Sequence, residues 1–192
     1  VGSATLKVND EGFYTLLIGA ADMGTGCDTI LAQMAAECLH VTTDEIFVSG
    51  ADTDSSPYDS GSYASSTTYI TGQAVVKAAT ELEKRICQVA AGMLECDPED
   101  VEFDGRKATD VKTGKSVTSE EIGYKAQVCN EIALQVTESH SSPVSPPPYM
   151  AGAVEIELDK ETGHVEILDY AAVVDCGTVV NPNLATVQVE GG

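Results

Sequence analysis

Three short stretches of this 192-residue chain set glycines, small hydroxyl side chains and a helix start next to one another. The first is Gly19-Ala20-Ala21-Asp22-Met23-Gly24-Thr25-Gly26-Cys27-Asp28-Thr29, between an apolar extended run at 13–18 and an amphipathic helical pattern at 27–40. A strand, a glycine turn and a helix start in that order leave unpaired backbone N–H groups at the positive end of a helix dipole, where a phosphate or another oxyanion can sit. The spacing is not Gly-x-Gly-x-x-Gly, because Thr29 stands where the third glycine belongs, and no Gly-Lys-Ser/Thr follows; neither a dinucleotide fold nor a P-loop is indicated. An ordinary tight turn uses the same residues. The second stretch, Gly61-Ser62-Tyr63-Ala64-Ser65-Ser66-Thr67-Thr68, opens a long helix running to about residue 94. Its hydroxyls suit an oxyanion cradle and equally suit plain N-capping. The third, Asp175-Cys176-Gly177 followed by Asn181-Pro182, places Pro182 at the first position of a helix that carries Gln188 and Gly191-Gly192.

Other chemistries find less support. His40, His140 and His164 are isolated, so no metal site is expected. The six cysteines form no C-x-x-C pair and read as reduced fillers, except that Cys27 stands at a helix N-terminus, where a thiol pKa is lowered. Asp52, Asp54 and Asp59 suggest calcium, but the EF-hand positions for Gly and Glu hold Pro57 and Tyr63. With 31 acidic against 10 basic residues the formal charge is −21, which argues against nucleic acid and fits a soluble cytoplasmic protein. No apolar run spans a membrane, and no signal-peptide pattern is present.

The elements that must position these turns follow from periodicity. Residues 1–8 and 13–18 read as a hairpin about Asn9-Asp10-Glu11-Gly12. Ile30, Leu31, Met34, Ala35, Cys38 and Leu39 form the apolar stripe of one helix; Val75, Ala78, Leu82, Ile86, Val89 and Met93 form that of the other. An internal echo at a constant offset of 55 repeats a helix end, a capped turn and a strand, at 35–50 and again at 90–105, and suggests one unit used twice on one sheet. A brief helix starts at Thr118, a strand covers 132–138, and strands at 152–158 and 164–174 pair around Asp159-Lys160-Glu161-Thr162-Gly163. The expectation is an α+β fold with mixed β-sheets, two long helices and one or two short ones. The expected domains are a first αβ subdomain at 1–138, a Pro-rich linker at 139–150, and the start of a second subdomain at 151–192. Because residues 1–8 already read as a strand and the end carries no polar tail, a fragment or split subunit is expected, poorly stable alone.

Taken together, the three ordered motifs resemble the molybdopterin-binding region of the molybdenum hydroxylases, the xanthine dehydrogenase and aldehyde oxidase family. Met23-Gly24-Thr25-Gly26-Cys27-Asp28-Thr29 resembles the family's Met-Gly-Gln-Gly-x-x-Thr. Gly61-Ser62-Tyr63-Ala64-Ser65-Ser66, with Gly72-Gln73-Ala74-Val75 after it, resembles Gly-Thr-Tyr-Ala-Ser-Arg and its helix. Asp175-Cys176-Gly177, Asn181-Pro182 and Gln188 to Gly192 resemble the closing motif. The resemblance implies molybdopterin with molybdenum, in bacteria often as the cytosine dinucleotide. It implies cofactor contacts from Gly24, Thr25, Gly26, Thr29, Tyr63, Ala64, Ser65 and Gln188. It implies oxidation of an aldehyde or N-heterocycle with water-derived oxygen by the whole enzyme, with iron–sulfur and FAD domains or subunits as partners beside the rest of the molybdenum subunit. No catalytic residue and no metal ligand is implied here, since the family's catalytic glutamate belongs to a later Gly-Glu-Pro-type segment. Two positions depart from the pattern: Thr25 stands for glutamine and Ser66 for arginine. They keep open a second reading, a non-catalytic relative used for binding or assembly.

Overall fold

The computed structural model describes residues 1–192, which form two compact units, Val1–Pro143 and Val144–Gly192. In the first, β1 (Gly2–Val8) turns back into β2 (Tyr14–Ile18), and the Asn9 carboxamide oxygen closes the turn by accepting from the N–H groups of Glu11 and Phe13 at 3.1 and 2.8 Å. α1 (Cys27–Leu39) leaves β2 and returns the chain to β3 (Ile46–Gly50), parallel to β2. The long helix α2 (Thr67–Leu94) follows. Then β4 (Val101–Phe103), β5 (Lys107–Asp110) and β6 (Ser116–Thr118) make a small antiparallel sheet. α3 (Ser119–Tyr124) and a π-helical turn, Lys125–Cys129, lead to β7 (Gln135–His140), which pairs antiparallel with β1. The main sheet has the order β3-β2-β1-β7, so the fold is α+β with a mixed sheet.

Alternation along the strands decides which face is covered. Ala4, Leu6 and Val8 stand opposite Ile18, Leu16 and Tyr14, and all six are buried. α2 packs against β1, β7 and α1, burying Val75, Ala78, Leu82 and Ile86 as the spacing requires. The stripe continues through Ala90 by a further four-residue step, which leaves Val89 and Met93 only half-buried. The helices approach closely at Gly72, where a Cβ would stand 2.7 Å from Met34 Sδ. On the opposite sheet face, hydroxyls pair across strands: Ser3 with Ser139 and Thr5 with Thr137, each at 2.8 Å.

The echo is visible in the backbone. His40 and Glu95, 55 residues apart, end their helices in the same left-handed conformation (φ 57° and 58°). The following N–H groups, of Val41 and Cys96, reach back to Ala36 and Ala91, each at 3.1 Å. Short 3-10 turns, Thr43–Glu45 and Pro98–Asp100, then start β3 and β4. The two copies do not share a sheet, contrary to the sequence reading. α2 has 28 residues against 13 in α1, about 42 Å against about 20 Å, and carries its strand past the main sheet. β7 starts at Gln135, later than residue 132, because the Ile132 N–H closes back on the Ala126 carbonyl at 2.8 Å.

The second unit consists of a hairpin and a helix. β8 (Tyr149–Leu158) and β9 (Val165–Asp175) form a two-stranded antiparallel ribbon with one bulge, between Glu155 and Ile156. Strand pairing therefore takes in residues 139–140 in β7 and 149–150 in β8, at the two ends of the Pro-rich stretch. α4 (Pro182–Gly191) completes the unit.

Candidate functional site

The two glycine-hydroxyl turns of the first unit lie at one end of its main sheet. Thr25 and its flanking glycines follow directly from β2. The polar loop at 51–62 folds back over the end of β2: a Cβ on Gly19 would stand 2.7 Å from Asp59 Cβ. Asp59 then accepts the hydroxyl of Thr71, a buried residue in the second turn of α2, at 2.7 Å, and the Ser60 N–H donates to the Val1 carbonyl at 3.0 Å. The loop thus carries the start of α2 to the strand end from which α1 departs. Ligands of sheet-and-helix proteins bind at such strand ends.

The two turns differ in what already fills them. Before α1, the Asp22 carboxylate accepts from the N–H groups of Gly24 (2.9 Å), Gly26 (3.1 Å) and Asp28 (3.4 Å). Gly26 is the N-cap, in the left-handed region at φ 75°, and its neighbour Gly24 has φ 91°, conformations that glycine adopts without strain. Partial burial works to raise the Asp22 pKa, but hydrogen bonds from Gly26, Gly24, Asp28 and Thr25 outweigh it and hold the carboxyl below its usual range. The cradle at α1 is filled by the protein's own anion, and Thr25 and Thr29 stand exposed on its outer side.

Cys27 does not match the sequence expectation. Its thiol is pushed up to about 11 by burial and by the neighbouring charges of Asp22 and Asp28, which together override the helix dipole. Asp22, Cys27 and Asp28 bring three potential ligand atoms within 4.8 Å of one another, yet Asp22 is committed to backbone N–H groups and Cys27 holds its proton.

At α2 the arrangement is open. Ala64 and Ser65 both lie in the left-handed region (φ 55° and 53°), a costly conformation for two consecutive non-glycine residues. The N-cap, Ser66, makes no side-chain cap; its hydroxyl donates instead to the Tyr63 carbonyl at 2.9 Å, and Thr67 donates to Ser62 Oγ at 2.8 Å. The hydroxyls that seemed suited to capping are therefore spent on the preceding turn. The N–H groups of Thr67 and Thr68, at the very start of the helix, have no acceptor in a preceding helical turn. Tyr63, Ala64 and Ser65 are exposed around them. An uncapped, solvent-facing helix start next to a strained, fixed turn fits a phosphate-bearing group held by backbone donors.

In the second unit, Asn181 caps α4 by accepting from the Leu184 N–H at 3.1 Å, with Pro182 at the first helical position, as its sequence suggests. Gln188 is exposed on α4. Two features were not read from the sequence: Asp22 as the anion that fills its turn, whose signal is an Asx acceptor two residues before a turn glycine, and the left-handed backbone of the candidate residues Ala64 and Ser65, for which alanine gives no signal.

Comparison with known proteins identifies the family of the chain. The sequence profile of the molybdopterin cofactor-binding domain matches residues 1–192. The chain is 34% identical to the probable hypoxanthine oxidase XdhD of Escherichia coli (strain K12), over 97% of its own length and 20% of that protein's. It is 30% identical to the nicotine 6-hydroxylase large subunit of Paenarthrobacter nicotinovorans, over 99% of its length and 24% of that protein's. Among solved structures, the reconstituted CO dehydrogenase from Oligotropha carboxidovorans superposes with a TM-score of 0.86 at 28% identity, covering 100% of this chain and 24% of that one. The quinoline 2-oxidoreductase from Pseudomonas putida 86 does so with 0.86 at 26%, covering 99% and 25%. The chain thus spans about a fifth to a quarter of the relatives it matches. It belongs to the molybdopterin cofactor-binding domain family.

Proposed function

We propose, from this family membership, that the chain supplies cofactor-binding turns to the large subunit of a molybdenum hydroxylase, and that the start of α2 is its principal contact with the cofactor's phosphate. The observation that carries this reading is the α2 start itself: uncapped, exposed, and preceded by left-handed Ala64 and Ser65. Ser65, Ser66 and Thr67 would present backbone donors to the phosphate, and the Ser65 hydroxyl adds a neutral donor. Tyr63, exposed beside them, would cover the pterin. The turn holding Gly24, Thr25 and Gly26, kept rigid by Asp22, would stand nearer the metal end, with Thr29 behind it. Gln188 of the second unit would contribute a further hydrogen bond. When bound, the cofactor supplies the redox chemistry by which such an enzyme oxidises an aldehyde or N-heterocycle with oxygen from water. The cytosine dinucleotide form would present its diphosphate to the same donors. Iron–sulfur and FAD domains or subunits would take up the electrons, and the enzyme would be cytoplasmic, both proposed from the resemblance alone.

The competing reading, an assembly scaffold without cofactor, draws on Thr25 and Ser66, whose side chains are shorter than the family's glutamine and arginine. Hydrogen exchange separates the two. In the full-length subunit, amides of residues 64–68 should exchange at least tenfold more slowly with cofactor than without it. Equal exchange in both states would refute the assignment of this turn.

A further inference from the structure

The donors assigned at the α2 start sit inside a loop that one side chain closes. Asp59 Oδ1 accepts from the Gly61 N–H at 2.8 Å, and Asp59 Oδ2 accepts from the Thr71 hydroxyl at 2.7 Å. Residues 62–68, the body of the second glycine-hydroxyl turn, lie between those two partners. Thr71 is 1% exposed, so its hydroxyl serves Asp59 and not a ligand. The base of the loop is fitted against two strands. A Cβ on Gly2 of β1 would stand 2.9 Å from Thr71 Cα. A Cβ on Gly19, just past β2, would collide with the Pro57 carbonyl oxygen and stand 2.7 Å from Asp59 Cβ. Only glycine lets the backbones come so close. Next to Asp59, the Ser60 N–H is held by the Val1 carbonyl at 3.0 Å.

We propose that Asp59, acting through Thr71, is the positioning residue of the α2 start: it holds the left-handed Ala64–Ser65 turn where its backbone donors meet a phosphate. The proposal rests on the reading of that start as the phosphate contact. Consecutive left-handed residues other than glycine persist only where their surroundings over-determine them. The bonds from Ser66 to Tyr63 and from Thr67 to Ser62 are local to the turn; they shape it without fixing where it stands. The Asp59 pair supplies the fixed point. It ties the turn to the buried second turn of α2 and, through the contact at Gly19, to the end of β2. Charge is not the means, since a carboxylate near a bound phosphate opposes it. What Asp59 contributes is two directed bonds. Asparagine can make both, its Oδ1 accepting from Gly61 and its Nδ2 donating to the Thr71 hydroxyl, which accepts as well as donates.

The test compares the full-length wild-type subunit with Asp59→Ala, Asp59→Asn, Thr71→Val and Thr71→Ser, each produced with and without the cofactor. Without cofactor, hydrogen exchange of the Ile70 amide, which donates to the Ser66 carbonyl at 2.8 Å, reports on the α2 start. It should be at least tenfold faster than wild type in Asp59→Ala and Thr71→Val. In Asp59→Asn and Thr71→Ser, which keep the bonds, it should stay within threefold, and amides of β1 should be unchanged throughout. With cofactor, Asp59→Ala and Thr71→Val should lose fluorescent pterin at least tenfold faster on repeated filtration, and the two conservative variants no more than threefold faster. Equal Ile70 exchange in all five proteins would overturn the proposal. So would an Asn variant as damaged as Ala, which would make charge the operative feature, or faster exchange spread evenly over β1 and α2, the sign of a general loss of stability. Undiminished pterin retention in Asp59→Ala would overturn it too. If Asp59→Ala does not fold, Thr71→Val gives an independent result from the other end of the bond. Wild-type protein that holds no pterin would remove the functional reading, and the exchange ratios alone would then decide whether Asp59 fixes the turn.

Discussion

Replacing Ser66 by a charged residue tests the assigned cofactor contact through its sign. Ser66 is the N-cap of α2 and contributes no cap of its own; its hydroxyl holds only the Tyr63 carbonyl, at 2.9 Å. Ser66→Asp and Ser66→Asn both remove that hydroxyl and are nearly isosteric, so the difference between them reports mainly charge, and Ser66→Arg adds the opposite sign. A unit charge roughly 6 Å from a bound phosphate is worth about 0.7 kcal/mol at a dielectric constant near 80 and about 2.8 kcal/mol near 20. That corresponds to a threefold to hundredfold change in affinity, since about 1.36 kcal/mol is tenfold. The full-length subunit would be produced in a host that makes the cofactor, and loss of fluorescent pterin followed by repeated filtration. Ser66→Asp should release it three- to a hundredfold more readily than Ser66→Asn, and Ser66→Arg should retain it better than Ser66→Asn. The differences should shrink in about 1 M salt, where the screening length falls to about 3 Å. Equal retention by the Asp and Asn variants at low salt, or poorer retention by Arg, would refute the reasoning.

Other consequences follow from the turn and the core. Asp22→Ala removes the acceptor of three backbone N–H groups and should lower stability by about 1 kcal/mol, the usual cost of a lost helix cap, measured by urea unfolding. Because the folded-state pKa of Asp22 is depressed, its contribution is present above the unfolded value of about 3.9 and is lost as pH falls through the lower folded value; the Asp22→Ala deficit should therefore shrink in strong acid. Cys27, raised to about 11, should react with iodoacetamide at pH 8 at least a hundredfold more slowly than an unperturbed thiol, as peptide mapping would show. The Tyr14 hydroxyl is buried without a hydrogen-bond partner, and burial raises its pKa far above 10. Tyr14→Phe should be neutral or stabilising by up to about 1 kcal/mol, where loss of a satisfied buried hydroxyl would cost about that much. The protonated phenol is favoured in the fold, so stability should fall as pH rises past the unfolded value of about 10, and less steeply in Tyr14→Phe.

Much of the fold was legible because it rests on local periodicity. The α2 stripe at Val75, Ala78, Leu82 and Ile86 and the β1–β2 hairpin at Asn9 each follow from residue types a few positions apart. The paired helix ends at His40 and Glu95 were readable as a spacing, but the separation of their strands into two sheets depends on the length of α2, a tertiary consequence. The site divides in the same way. Glycines and hydroxyls marked where helices start. Which starts are filled could not be read from them: whether Asp22 turns inward, and whether Ser66 caps its helix or bonds to Tyr63, depends on backbone angles that alanine and serine do not announce. Cys27 shows the same limit, since a helix start lowers a thiol pKa only where burial and adjacent carboxylates do not oppose it.

The most direct measurement is molybdenum and pterin analysis of the native full-length protein, purified with its co-purifying subunits from a host shown to make the cofactor. A cofactor-binding role predicts about one molybdenum and one releasable fluorescent pterin per chain, the subunit stoichiometry expected of a metal held in a single site. Folded protein carrying neither would contradict that role, leaving the α+β scaffold and its family membership as they stand.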